Sequence, residues 1–260
     1  MSTRKQHKEE ARRQRLELEA ALRERDRRRR RRASLAAAAT ALLALGGAIE
    51  VLGSTVNHTD LPAAVPPSRL APLASLGKLP PARASASVGP EDVPMPYAPQ
   101  LAGSGAQSTG RAVDGIKCQA DEQVLFHIHA HLTVFVNGVP RRIPDGIGIP
   151  GAQVSSTPLG PYVATGSCFY WLHTHAADGI IHIESPVQRT YTLGNFFDLW
   201  RQRLSPTEVG PVTGPVTALY NGQVFRGNPR DVPLTKHAQI QLEVGRPLVA
   251  PVVISFPAGL

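Results

Sequence analysis

Two cysteines and two methionines in 260 residues leave little sulfur for metal chemistry. Neither cysteine has a CxxC partner, and no usable methionine accompanies the histidines, so thiolate zinc motifs and the electron-transfer copper pattern lack their ligands. Surplus positive charge is also missing once its location is known. The formal charge of +8 belongs to residues 1–32, which hold 14 of the 28 Lys and Arg against six acids. The remaining chain carries 14 basic and 14 acidic residues, so no positive field is left to select a phosphate backbone, and nucleic acid is excluded as a partner. Sustained helical or strand periodicity is absent from residues 57–110, where Pro, Ala, Ser and Gly dominate. Such a composition buries too little apolar surface to offset chain ordering, which predicts a disordered spacer over residues 55–112. His58 and Met95 fall in it and are read as solvated side chains outside any site.

One apolar run stands out. Residues 34–54, directly after six consecutive arginines at 27–32, have about membrane-spanning length with a single charge, Glu50, near the far end. They predict one transmembrane anchor in contact with the lipid bilayer. The basic tail, residues 1–33, then lies in the cytoplasm and the rest of the chain outside it. A cleavable signal peptide is the alternative, because the uncharged stretch from Leu35 to Ile49 also resembles a signal h-region. The long basic leader, and the lack of a small-x-small cleavage site after Ile49, favour the anchor. In an oxidising compartment Cys118 and Cys168 are a candidate disulfide, with thiolate ligation of a metal as the rival.

Histidine is concentrated where the other special residues are scarce. Five of the nine occur in His127-Ile-His129-Ala-His131 and His173-Thr-His175, with His182 close behind. A strand sends alternate side chains to opposite faces, so His127, His129 and His131 form one surface. Imidazoles at that spacing can tilt onto one ion about 2.0–2.1 Å from each nitrogen. A strand over 124–136 facing one over 168–175 would offer five nitrogens. His182 adds a sixth, and Glu184, two residues on and on the same face, can ligate or orient a ligand. A lone strand histidine is more often a hydrogen-bonded or exposed residue than a ligand. Two HxH motifs plus His182 within 56 residues outweigh that reading, and six histidines have room for two ions. All-imidazole donors suit zinc or copper. His237 stands apart.

The fold class expected is α+β, predominantly β. It is a compact antiparallel β domain with one amphipathic helix over 193–204 capped by Thr192, in residues 113–260, preceded by the single transmembrane helix and the Pro-rich spacer. Asn137-Gly138 and Asn221-Gly222 mark hairpin turns. Strands are expected over 180–184, 216–220, 223–225 and 238–244, and a long excursion over 143–166. Residues 129–138 and 237–245 echo one another faintly, as any two half-buried strands do.

The stretch 127–138, with Tyr170-Trp-Leu-His173-Thr-His175, Gly179-Ile-Ile-His-Ile-Glu-Ser-Pro186 and Thr192-Leu-Gly-Asn-Phe-Phe-Asp-Leu-Trp200, resembles a family of uncharacterised membrane-anchored extracytoplasmic proteins. The resemblance covers residues 118–260. It implies that the histidine blocks act as one unit, and it brings no assigned reaction or substrate. Three functions follow from the residues. The first is an extracytoplasmic zinc- or copper-binding domain using the six histidines. The second is a metal-dependent hydrolase or lyase with an open coordination position beside Glu184 or Asp178. The third is a structural envelope module whose histidine face charges near pH 6 without metal. No protein partner is indicated.

Overall fold

The computed structural model describes residues 65–82, 86–104 and 109–260. The expected basic tail and the span at 34–54 lie outside the described residues. Among those described, no helix is long and apolar enough to cross a membrane.

The centre of the molecule is an eight-stranded sheet. In chain order its strands are β1 (Leu70–Ala71), β2 (Phe126–Val136), β3 (Val139–Arg141), β4 (Leu172–His173), β5 (Ile180–Ser185), β6 (Val216–Tyr220), β7 (Gln223–Phe225) and β8 (Ala238–Val244). Across the sheet they run β1-β7-β6-β8-β2-β5-β4, with β3 also paired to β2. Among the described residues the fold is predominantly β with one α-helix, and the pairs of the main sheet are antiparallel except at the centre, where β8 runs parallel to β2. That parallel pair is the counterpart of the faint echo. Ala238 lies opposite Ala130 and Val244 opposite Val136, so the two segments sit side by side.

The turn chemistry is local and explains the hairpins. Asn137 and Gly138 have φ of +51° and +74°, the left-handed pair a two-residue type I′ turn requires, and they join β2 to β3. Asn221 (φ +49°) and Gly222 (φ +77°) do the same between β6 and β7. The helix α1 (Leu193–Trp200) starts where expected: the Thr192 hydroxyl accepts from the Asn195 backbone N–H, and the Asn195 side chain accepts from the Thr192 N–H. It stops four residues earlier than the pattern suggests. Arg201 turns left-handed at φ +58°, and Leu204 belongs to a short strand instead.

One face of the sheet carries Ile128, Ala130, Leu132, Val134, Ile181, Ile183, Ile240 and Leu242, packed with Phe196, Phe197 and Trp200 of α1 into the main core. Each fully buried large side chain of this kind contributes about 1.5–3 kcal/mol. The histidines occupy the opposite face, so the alternation that places Ile128 under α1 also places His127 and His129 above the sheet.

The disordered spacer expected over 55–112 is corrected where it is described. Residues 86–88 and 94–96 form a two-stranded hairpin, Leu70–Ala71 adds to the sheet edge at β7, and Val93, Met95 and Leu101 are buried. Met95 is therefore packed and not a solvated side chain. Short proline-rich elements show no periodicity because contact with the sheet imposes their order, one or two apolar side chains at a time. The excursion over 143–166 contains the hairpin Gln153–Thr157 with Gly160–Thr165. Cys118 and Cys168 form a disulfide across 50 residues, which removes the thiolate alternative. Closing a loop of that length stabilises the fold by about 4 kcal/mol in the chain-entropy account. It also ties the segment leading to Glu122 to the one leading to His173.

Candidate metal centre

The histidine strands meet differently from the pairing expected. β2 does not face residues 168–175 directly: β5 lies between them, and it supplies the central histidine. His129 is opposite His182, His182 is opposite His173, and Glu184 is opposite His127. A row of imidazoles therefore crosses three adjacent strands on one face. The His129 and His182 rings meet edge-on at 4.6 Å between centroids, and the His173 and His182 rings stack at 5.3 Å. His175, just past the end of β4, reaches back over His182 at 4.5 Å.

Backbone contacts fix that return. Thr174 donates its hydroxyl to the Pro144 carbonyl and accepts from the Ile147 N–H, while Val163 N–H donates to the His175 carbonyl. The Tyr162 ring stacks on His175 at 5.2 Å, so the 143–166 excursion buttresses the site. At the other end Gly179 (φ +91°) turns the chain into β5. A Cβ there would stand 2.4 Å from the Leu132 carbonyl oxygen, which makes glycine a requirement of the β2–β5 junction.

Four donor atoms form a closed ring of contacts. His127 Nε2 lies 3.1 Å from His129 Nε2, His129 Nε2 3.1 Å from His182 Nδ1, His182 Nδ1 3.4 Å from Glu184 Oε1, and Glu184 Oε1 3.2 Å from His127 Nε2. Donors bound tetrahedrally about 2.0–2.1 Å from one ion stand about 3.3 Å apart, so these spacings match a single coordination sphere. His173, His175, His182 and Glu184 make a second group of ligand atoms, all within 4.8 Å of one another. His129, His173, His175, His182 and Glu184 are buried, and the His127 side chain remains 27% exposed, marking the edge of the site nearest solvent. The cluster can hold a divalent metal ion.

The surrounding bonds orient the rings as metal ligands are usually oriented. His182 Nε2 contacts Glu91 Oε1 at 2.7 Å, which leaves Nδ1 toward the cluster. His173 Nδ1 donates to the Tyr170 carbonyl at 2.8 Å and His175 Nδ1 to the Val163 carbonyl at 2.5 Å. A carbonyl only accepts, so in their neutral forms both rings turn a bare Nε2 inward.

Electrostatics separates the imidazoles. Burial, followed by the charge on His182, depresses His129 to about 2, and burial with His175 beside it depresses His173 to about 3. Burial also opposes a charge on His182, yet the Glu91 and Glu184 carboxylates together outweigh it and lift His182 to about 10. Burial works against ionisation of Glu184 and Glu122 as well, but bonds from His127 and His182 to the first and from His175 to the second hold both below the usual carboxylate range. Three buried carboxylates, Glu91, Glu122 and Glu184, thus surround a site in which His129 and His173 stay neutral while His182 carries a charge, an environment that favours a cation. Asp178 sits beside Glu91; burial first, and that neighbouring carboxylate second, push its carboxyl well above the ordinary range.

Of the six histidines expected as ligands, five converge: His127, His129, His173, His175 and His182. Glu184 joins them as a donor, the ligating one of the two roles open to it. His131 does not join. Its Nε2 donates to the Asp178 carbonyl at 3.0 Å, and burial holds it at about 4, so it is a structural core histidine. His131→Ala will leave the metal content unchanged and cost about 2–4 kcal/mol of stability, read by elemental analysis and calorimetry. Loss of metal in that variant would put His131 back among the ligands. His237 is exposed, stacks on Phe256 and donates to the Leu260 carbonyl.

Sequence reasoning missed Glu91 and Glu122. Glu122 lies five residues before His127, outside the alternating pattern, and its carboxylate stands 3.4 Å from His175 Nε2. Glu91 sits in the turn of the 86–96 hairpin, within the segment read as spacer, and no local pattern marks it. No family model, curated protein or solved structure matches the chain.

Proposed function

We propose that this chain is a metal-binding protein of the cell envelope, holding zinc or copper in the His/Glu cluster and tethered to the membrane by residues 34–54. The observation that carries the metal reading is the ring of four donors, His127, His129, His182 and Glu184, spaced at 3.1–3.4 Å. Three imidazoles and a carboxylate are borderline donors that suit zinc first and copper second. Four protein donors also fill a tetrahedral shell. That favours binding over hydrolase or lyase chemistry, which needs an open position for water or substrate. The anchor and the extracytoplasmic placement rest on the arginine block and the apolar run that follows it. The resemblance to membrane-anchored extracytoplasmic proteins supports the same placement.

Elemental analysis of the full-length chain, purified without a histidine tag, tests the metal reading. At least one zinc or copper per chain is expected. His129→Ala removes a donor and will weaken binding more than Glu91→Gln does, for which the loss of a ring-orienting bond predicts about 10–100-fold. A wild-type chain that is isolated without metal and binds neither added zinc nor added copper would leave only the structural envelope module.

A further inference from the structure

We propose that the centre is binuclear, with two divalent ions sharing the Glu184 carboxylate. One ion is held by His127, His129 and His182, the other by His173, His175 and Glu122. The proposal rests on the metal-binding reading and extends it from a single coordination sphere to a pair.

Counting donors is the first step. The cluster offers seven side chains: five histidines, Glu122 and Glu184. A tetrahedral ion takes four. His182 bonds Glu91 through Nε2 at 2.7 Å, so only its Nδ1 is free to ligate, and a ring nitrogen has one lone pair to give. That atom lies 3.1 Å from His129 Nε2 and 3.4 Å from Glu184 Oε1, which assigns His182 to the first ion although it stands within reach of both groups.

The residues left over are not arranged as bystanders. His173 and His175 have each committed Nδ1–H to a backbone carbonyl, and their Nε2 atoms face one another at 3.1 Å. Two neutral imidazoles in that arrangement have no proton between them, so their lone pairs repel. The first ion does not relieve this repulsion, because its shell is already full. A second cation between the two Nε2 atoms would, and 3.1 Å is close to the roughly 3.3 Å donor spacing around one zinc. Glu122 Oε1, 3.4 Å from His175 Nε2, supplies a third donor. Glu184 belongs to both groups of ligand atoms, and a carboxylate has two oxygens. Placed between the ions it completes each shell at four, in the manner of two-metal sites whose ions lie about 3.5–4 Å apart.

Cobalt(II) titration of the metal-free full-length chain tests the pair, with visible absorption for occupancy and electron paramagnetic resonance for coupling. Wild type is expected to bind two equivalents, the second reducing the resonance signal of the first through the shared carboxylate. Glu122→Gln, which barely changes side-chain volume, is expected to halve the stoichiometry to one equivalent while keeping the uncoupled signal. One equivalent in wild type would overturn the pair and leave the metal-binding reading standing. No binding at all would overturn both. Two equivalents in both wild type and Glu122→Gln would overturn the assignment of the second ion's ligands.

Discussion

Removing metal from the full-length chain with a chelator will lower its thermal midpoint by about 8–16 °C relative to chain held at free zinc a thousandfold above the dissociation constant. A ligand that binds only the folded state at that excess stabilises by about 4 kcal/mol, and a domain of roughly this size shifts by about 2–4 °C per kcal/mol. The effect should be large here because the donors come from separate segments that only the folded sheet brings together. His127 and His129 lie on β2, His182 and Glu184 on β5, and His173 and His175 at the end of β4. An unfolded chain keeps none of that convergence. His182→Ala will flatten the dependence on metal, since it deletes the Nδ1 at the middle of the row and leaves Glu91 without its partner. Scanning calorimetry with and without chelator is the measurement. An unchanged wild-type midpoint would rule out a native-state metal.

Acid will unfold the metal-free chain between about pH 6 and pH 4. The sign follows from which state holds the protons. His129, His131 and His173 have folded values of about 2, 4 and 3 against an ordinary 6.5, so below 6.5 the unfolded chain takes up protons that the folded chain refuses. Stability supplied by these three groups is present above pH 6.5 and is lost as pH falls toward their folded values. Each group costs about 1.4 kcal/mol per pH unit over that interval. Across the three, a fall from 6.5 to 4 removes on the order of 10 kcal/mol, comparable with the entire stability of an ordinary domain. His131 gives the cleanest contribution, because burial alone depresses it. Glu184 and Glu122, held below their ordinary value of 4.5, add a further loss below that pH.

His182 behaves in the opposite sense. Its raised value of about 10 contributes stability that is fully present below 6.5 and disappears as pH rises through 10. The metal-free chain is therefore expected to be most stable near pH 6.5, with a steep acid limb below it and a shallower decline above it toward pH 10. Bound metal will move the acid limb downward, because protons must then compete with the ion for the same nitrogens. Tryptophan fluorescence followed from pH 8 to pH 3 would show the transition, since Trp200 is fully buried in the core beneath the sheet. A metal-free chain that stays native to pH 3 would contradict the burial of these rings.

The parts of the fold legible in sequence were those set by neighbours along the chain. Asn137-Gly138 and Asn221-Gly222 fixed two hairpins because two consecutive left-handed residues admit few alternatives. β8 has the bounds its alternation suggested, and Thr192 capped α1 as expected, whereas the helix end was misjudged because apolar Leu204 continued the stripe into a strand. Residues 65–82 and 86–104 were misread because their order comes from docking and carries no periodic signature of its own.

The candidate centre divides along the same line. Alternation alone put His127 and His129 on one face, and His182 and Glu184 on another strand's single face, since a side-chain period of two leaves no other choice. The sequence by itself therefore determined that imidazoles form surfaces. It did not determine which surfaces touch, because strand order and register arise from long-range pairing. Tertiary structure decided that β5 lies between β2 and β4, that His131 turns to the Asp178 carbonyl, and that Glu91 and Glu122 arrive from outside the motif. Three-dimensional convergence of donors far apart in the chain turns a histidine-rich sequence into a coordination sphere, and no local pattern of residues encodes it.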